Sequence, residues 1–184
     1  MISIMIQNLA DYRTSSDWHP GAPFPLQIVW FFLGAPLLGV RWLPGSSWRL
    51  LLLRLFGAEI GTGSIIKPGL RIKFPWRLIV GQACWLGEDA WIDNLAIVRF
   101  GDRVCLSQGA YLCTGNHDFR SPAFTLRLGS ITVGSDAWIA ARAVLAPGSK
   151  IGNAAVVSLG AVVSGSVPAG AIVRGNPAVV VGWR

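Results

Sequence analysis

Few side chains in this sequence can shuttle a proton at neutral pH, and the strongest candidate is one imidazole. The chain has two histidines, His19 and His117, and three cysteines. His117 closes the string Cys105-Leu-Ser-Gln-Gly-Ala-Tyr-Leu-Cys-Thr-Gly-Asn-His117, with Asp118 behind it. A hydroxyl is a poor nucleophile at neutral pH, and an imidazole of pKa about 6.5 can accept its proton and later protonate a leaving group. Asp118 is no natural partner for that ring, because adjacent side chains point apart. His19 stands alone before Pro20 in a loop and reads as a solvated residue. Cys84, Cys105 and Cys113 are odd in number and contain no CxxC pair, which reads as reduced thiols in a cytosolic protein.

What positions these groups is a six-residue period running from Ile60 to Val163. Its bulky starts are Ile60, Ile66, Ile72, Val80, Leu86, Ile92, Phe100, Leu106 and Leu112, resuming as Val133, Ile139, Leu145, Ile151, Val157 and Val163. Gly often follows a start (Gly61, Gly81, Gly87, Gly101, Gly134, Gly152), which we read as a turn requirement. Four places after a start the residue is small, as at Ser64, Cys84, Ala90, Ala96, Ala110 and Ala137. A short fixed period is the mark of a solenoid whose units stack on one another. Each hexad is one short strand and a turn, and three make one coil of a triangular prism with bulky and small residues inside. The steps Ile72–Val80 and Ile92–Phe100 span eight residues, so two extra residues sit at the same corner of successive coils. The step Leu112–Val133 is far longer and carries His117. The expected architecture is an all-β solenoid of about five coils over residues 58–168. A loop insertion at about 115–131 interrupts it, an irregular and helical N-terminal cap covers 1–57, and a C-terminal tail covers 169–184.

The string Trp91-Ile-Asp-Asn-Leu-Ala-Ile and the His117 string resemble the active-site coil of the hexapeptide-repeat acyltransferases, in their colanic-acid-type exopolysaccharide O-acetyltransferase branch. Two further strings match: Ala137-Trp-Ile-Ala-Ala-Arg-Ala-Val-Leu-Ala-Pro-Gly148 and Val173-Arg-Gly-Asn-Pro-Ala178. The resemblance covers roughly residues 9–184 and implies a left-handed parallel β-helix, a hand that the sequence itself does not show. It also implies an acetyl-CoA-dependent O-acetyltransferase acting on a sugar hydroxyl of an exopolysaccharide or its lipid-linked precursor. His117 would be the general base of a direct attack on the thioester, with no metal. Asn94 and Asp93 would hold the acceptor sugar, and Trp138 would border the site. The resemblance also implies a homotrimer in which the pantetheine arm lies between two prisms. Contacts to it are expected near Ala141, whose N–H faces the thioester oxygen, and at Gly160 and Ala161, with Arg174 and Lys150 toward the phosphates of CoA. Two departures stand out. Ser164-Gly-Ser166 replaces a Thr-Lys-Asp usual in relatives, removing a lysine contact, and Arg142 stands where relatives often have a small or neutral residue.

Alternative readings stay open at this point. N-acetylation of an amino sugar would use the same base, and a non-catalytic prism would need no such loop. A zinc hydratase built on the same prism needs three histidine ligands, more than the two present.

Only 14% of residues are charged, so a prism this apolar is expected to cover part of its outside by oligomerising or meeting a membrane. The net charge of +7 favours an anionic partner, while no basic run or motif points to nucleic acid. Residues 1–23 are irregular, with Ser15, Ser16, Pro20 and Pro23, and the opening Met-Ile-Ser-Ile is no secretory signal. The apolar run 24–40 is too short to span a bilayer and is interrupted by Pro36. Ser46 is placed to cap a helix over 47–56. Segment 24–56 therefore has two expected roles: covering the prism's open end, or lying in a bilayer interface beside Trp30, Trp42 and Trp48. The expected location is cytoplasmic, at or near the inner face of the membrane.

Overall fold

The structure is a computed structural model and describes residues 6, 9–12, 14 and 18–184. The opening tetrapeptide, Ser15 and Ser16 lie outside the described residues. From Glu59 onward the chain winds through three parallel sheets. The first face stacks Glu59–Ile60, Leu78–Val80, Val98–Phe100, Ile131–Val133, Lys150–Ile151 and Ser166–Val167. The second stacks Ile65–Ile66, Trp85–Leu86, Cys105–Leu106, Trp138–Ile139, Val156–Val157 and Ala171–Arg174. The third stacks Arg71–Ile72, Trp91–Asp93, Tyr111–Cys113, Val144–Leu145 and Val162–Val163. There are thus five full coils and a two-sided sixth, about six turns rather than five. Segment 169–184 is no tail: it completes the last coil, and Val179–Trp183 folds back antiparallel along Ala171–Arg174.

The period maps onto this stack as hydrophobicity requires. Every hexad start from Ile66 on is buried, as are the small residues Ser64, Cys84, Ala90, Ala110, Ala137, Ala143, Ser149, Ala155 and Ala161. Ala96 is the exception: at its corner the chain turns Asn94 inward instead. The glycine column has a different cause from the one expected. A Cβ on Gly61 would stand 2.6 Å from the Gly81 carbonyl carbon, one on Gly81 2.5 Å from the Gly101 oxygen, and one on Gly101 2.6 Å from the Ser135 nitrogen. These residues are glycine because the next coil sits directly on them. The left-handed turn residue comes two places later, at Gly63, Ala83, Arg103, Asp136 and Ala154.

The N-terminal helices close the lower end. Helix α1 (Phe24–Val29) continues through a π turn (Trp30–Gly34) into α2 (Ala35–Leu38), and α3 (Ser47–Leu55) follows. Pro36 does not break the run as expected: the wider π turn ahead of it accommodates a residue that has no N–H. Trp30, Gly34 and Leu38, one per turn, form the buried stripe. Ser46 makes no cap bond to α3; its hydroxyl accepts the Ile66 N–H at 2.7 Å, an edge donor that no lower coil would satisfy. Arg54 donates to the edge carbonyl of Ile60 at 2.8 Å, and Trp30 Nε1 to that of Lys73 at 2.9 Å. Fully buried Arg49 ties the preceding turn together through the carbonyls of Val40 at 2.7 Å, Leu43 at 2.8 Å and Gly45. The cap role of segment 24–56 is therefore built on hydrogen bonds to the sheet edge.

Candidate active site

The corner between the third and first faces is where the chain departs from its period. In the first coil it holds the turn Pro75–Arg77, in the second Asn94–Ile97, and in the third a hairpin, Gly115–His117 against Leu126–Leu128. Two buried polar residues build it. Asn94 accepts the Phe74 N–H at 2.9 Å and donates to the Phe74 carbonyl at 2.7 Å. Thr114 donates to the Asp93 carbonyl at 2.9 Å and accepts the Ala96 N–H at 3.0 Å. Each satisfies the backbone of the coil below, where the extra residues have broken the ladder. Asn94 is thus a corner-building residue with both ends of its amide engaged and no surface open to a sugar, a departure from the role the resemblance implies.

His117 stands at the end of the first hairpin strand, half-buried, with its ring stacked on Phe124 at 4.4 Å and 4°. Its Nδ1 lies 2.9 Å from the Phe124 carbonyl oxygen. A carbonyl can only accept, so Nδ1 carries the proton and Nε2 presents a lone pair. That is the tautomer a general base needs. Tyr12 meets the ring edge-on at 5.4 Å. Asp118 turns elsewhere: its carboxylate pairs with Arg127 at 2.5 Å and accepts the Arg120 N–H at 3.0 Å.

Residues 18–20 and Tyr12 strap this corner. Pro20 accepts from Trp76 Nε1 at 2.7 Å and from Arg77 at 3.1 Å, and Trp18 Nε1 donates to Leu95 at 3.2 Å. Tyr12 then reaches the hairpin. Arg77 also binds the carbonyls of His19 and Leu95, and burial lowers its pKa. The His19 side chain itself is exposed.

Asp93 lies in the coil beneath the hairpin, 3.2 Å from Lys73 Nζ and 3.5 Å from the Tyr111 hydroxyl. Burial, with Cys113 and Asp93 nearby, pushes the Tyr111 phenol well up. Tyr111 stacks on Trp91 at 4.6 Å, and Arg71 covers Trp91 from below at 4.6 Å. Arg71, Lys73, Trp91 and Asp93 border a cleft of about 490 Å³ whose other wall is Phe24, Ile28, Trp30 and Phe31.

The remaining expected residues lie elsewhere. Trp138 is exposed on the second face, with Nε1 donating to Ser107 Oγ at 2.9 Å. Ser107, Gln108, Gly87, Glu88, Trp85 and Lys67 line a groove of about 400 Å³ below it. Ala141 and Gly160 continue that corner upward: the Gly160 N–H donates to Ala141 O at 3.0 Å, and the outer side of Gly160 is open. Arg142, in a left-handed conformation, donates its N–H to Gln108 O at 3.0 Å and presents its side chain to solvent. Arg174 ends the uppermost parallel strand of the same face and is exposed. Ala161 is fully buried, its N–H given to Ser158 and its carbonyl to Val144. Lys150 is exposed on the first face, away from this column. Within one chain, then, His117 and Asp93 share one corner, while Trp138, Ala141, Gly160 and Arg174 follow another, with the third face between them. Sequence reasoning missed Thr114, Phe124, Tyr12 and Ser107. Only Thr114 had a readable signal, lying one coil of twenty residues above Asn94.

No protein-family model matches the chain. A relative provisionally named colanic acid biosynthesis acetyltransferase WcaF, from Escherichia coli K12, is 36% identical over 184 residues, covering 97% of this chain and 98% of its own. The chain belongs to the hexapeptide-repeat acetyltransferases. Nodulation protein L of Rhizobium meliloti is 33% identical over 140 residues, covering 74% of this chain and 76% of its own. Among solved structures, the hexapeptide-repeat acetyltransferase VCA0836 of Vibrio cholerae, complexed with acetyl-CoA, superposes with a TM-score of 0.77 at 23% identity, covering 89% of this chain and 91% of that one. A galactoside acetyltransferase in complex with coenzyme A gives 0.72 at 20%, covering 86% and 77%. The left-handed parallel β-helix implied by the resemblance is the family's fold.

Proposed function

We propose that the protein transfers an acetyl group from acetyl-CoA to a sugar hydroxyl of an exopolysaccharide or its lipid-linked precursor. The observation that carries this reading is the Nδ1–Phe124 hydrogen bond, which leaves His117 Nε2 free to take a proton. As Nε2 removes the hydroxyl proton, the sugar oxygen attacks the thioester carbonyl. The oxyanion is met by a backbone N–H at Ala141, and the imidazolium returns the proton as the C–S bond breaks. Asp93, the carboxylate nearest the hairpin's root, orients the acceptor. Asn94 acts one step back, by fixing the corner that carries it.

Because His117 and the Trp138–Ala141–Gly160 column sit at different corners, one chain's histidine serves a neighbour's groove, which supports a homotrimer. The pantetheine arm would follow the open turns from Ser107 past Ala141 to Gly160. Arg174 at the top of that face is better placed for the phosphates than Lys150, which faces elsewhere. The three free cysteines support work in the cytoplasm.

A thiol-release assay with acetyl-CoA, run across nucleotide sugars and purified glycans, tests this reading. The wild-type trimer should release CoA only when an acceptor is present. His117→Ala should lower turnover by about 10²–10⁴-fold at unchanged oligomeric state. Equal turnover in the variant would overturn the assignment.

A further inference from the structure

The helical run 24–38 contains no charged residue, and its one buried stripe is Trp30, Gly34 and Leu38. The rest of it faces outward: Phe24, Phe31, Phe32 and Leu33 are each 64–73% exposed. Trp42 beyond it is 82% exposed, and α3 adds Leu51 and Leu55 at 59% and 70%. A helix this apolar all round belongs in a core or against lipid, and this one is at the end of the molecule. No helix among the described residues is long and apolar enough to cross a membrane. From residue 18 to 58 there is no Asp or Glu; of the three arginines Arg49 is fully buried, while Arg54 and Arg41, the latter paired at 2.7 Å with Asp89 of the prism, are exposed. Arg71 and Lys73 carry positive charge into the large cleft, whose helical wall, Phe24, Ile28 and Phe31, belongs to the same exposed surface.

We infer that this crown of the helical cap seats the enzyme on an anionic lipid bilayer, with the apolar side chains at acyl depth and exposed Arg41 and Arg54 at headgroup level. A second copy of the chain is the weaker occupant, because a self-complementary contact would set exposed Arg54 in a surface with no acid of its own, the one acid at its edge, Asp89, being already paired with Arg41. An anionic surface supplies what the segment lacks, since it attracts the exposed basic side chains while apolar burial supplies the rest. The cleft then opens beside the bilayer, and an acceptor carried on a lipid would arrive at the floor that holds Asp93. The docking does not rest on the acetyltransfer reading; only the delivery of the acceptor does.

The test is co-sedimentation of the full chain with vesicles of phosphatidylcholine alone or mixed with phosphatidylglycerol. Wild type should bind the mixed vesicles about 10-fold better than the neutral ones and lose most of that difference in high salt. The pair Phe32→Asp and Leu33→Asp, outside the cleft lining, should weaken binding by about 10-fold or more, and Leu51→Asp with Leu55→Asp on the other helix should act alike. Circular dichroism and CoA release with a water-soluble acceptor should stay as in wild type for both. Wild type that stays in the supernatant with both vesicles would overturn the inference, as would variants that sediment as well as wild type. So would variants that only reduce the oligomer in light scattering. A failed thiol-release assay would leave the vesicle result standing, so the two readings fail separately.

Discussion

Two corners of the same prism are built on opposite principles. Between the first and second faces, each of the five full coils turns in the same way: a glycine pressed against the coil above, then a left-handed residue two places on. The column Gly61, Gly81, Gly101, Gly134, Gly152 runs unbroken, and each would-be Cβ lies 2.3–2.6 Å from the nearest backbone or side-chain atom of the next coil. Between the third and first faces, no two of the lower three coils turn alike. There the ladder is patched by Asn94, Thr114 and Arg77, strapped by Tyr12, Trp18 and Pro20, and opened to let the His117 hairpin leave. Regular stacking leaves no freedom to aim a side chain, because a change in one coil meets the next within 3 Å. A side chain can be carried out of the stack on a hairpin only where the coil has been lengthened and the broken hydrogen bonds met by buried polar side chains.

If that division holds, the two corners should fail in different ways. The largest effect belongs to His117→Ala, which should remove about 10²–10⁴-fold of turnover and leave the melting temperature within a few degrees of wild type, since the ring is held by one carbonyl, one stacked ring and one edge-on ring. Gly101→Ala should do the reverse. Its Cβ would stand 2.6 Å from both the Ser135 nitrogen and its hydroxyl, so the stack must part, at about 3 kcal/mol. Denaturant unfolding would measure that, and enzyme that survives folded should keep its kcat. A Gly101→Ala protein of wild-type stability would refute the contact reading of the glycine column.

The same division explains what the sequence could and could not disclose. The inward hexad starts and the small inner residues were legible, because burial in a stack of 20-residue coils imposes a strict period. The reason for the glycines was not: a crowded backbone and a left-handed turn both favour glycine, and only the coordinates separate Gly101 from Gly63. Ser46 was misread because a serine before a helix and a serine under an open strand edge look the same in one dimension. At the irregular corner the period lapses, so Phe124 and Tyr12 could not be connected to His117. His117 was legible as a candidate from its motif. The carbonyl that sets its tautomer comes from seven residues away, across a hairpin no pattern announced. Asn94 was singled out at a position where the structure turns its amide to the coil beneath, since a polar residue at a corner can face a ligand or that coil.

Asn94→Ala sharpens that last point. It removes the acceptor for the Phe74 N–H and the donor to the Phe74 carbonyl inside a fully buried corner, a loss of about 2 kcal/mol. The expected signature is a lower unfolding midpoint. Any rise in KM for the acceptor should be matched by Thr114→Val, which breaks the same corner one coil higher. A KM effect unique to Asn94→Ala, at unchanged stability, would return this residue to direct sugar contact.

The smallest effect is expected at Gly148, in the upper part of the irregular corner, where the extra residues have disappeared and the turn closes in six. Gly148 has φ +80° and nothing within 4 Å of a Cβ built on it, the converse of Gly101, which has a crowded Cβ and no left-handed strain. Gly148→Ala should therefore cost only the left-handed conformation of an L-residue, about 1 kcal/mol, with no change in CoA release. Measured side by side in urea, the two alanines separate conformational strain from coil-on-coil contact. A loss at Gly148 equal to that at Gly101 would mean the upper corner is as tightly stacked as the regular one. The lengthening of the lower coils would then not be what frees that edge of the prism for function.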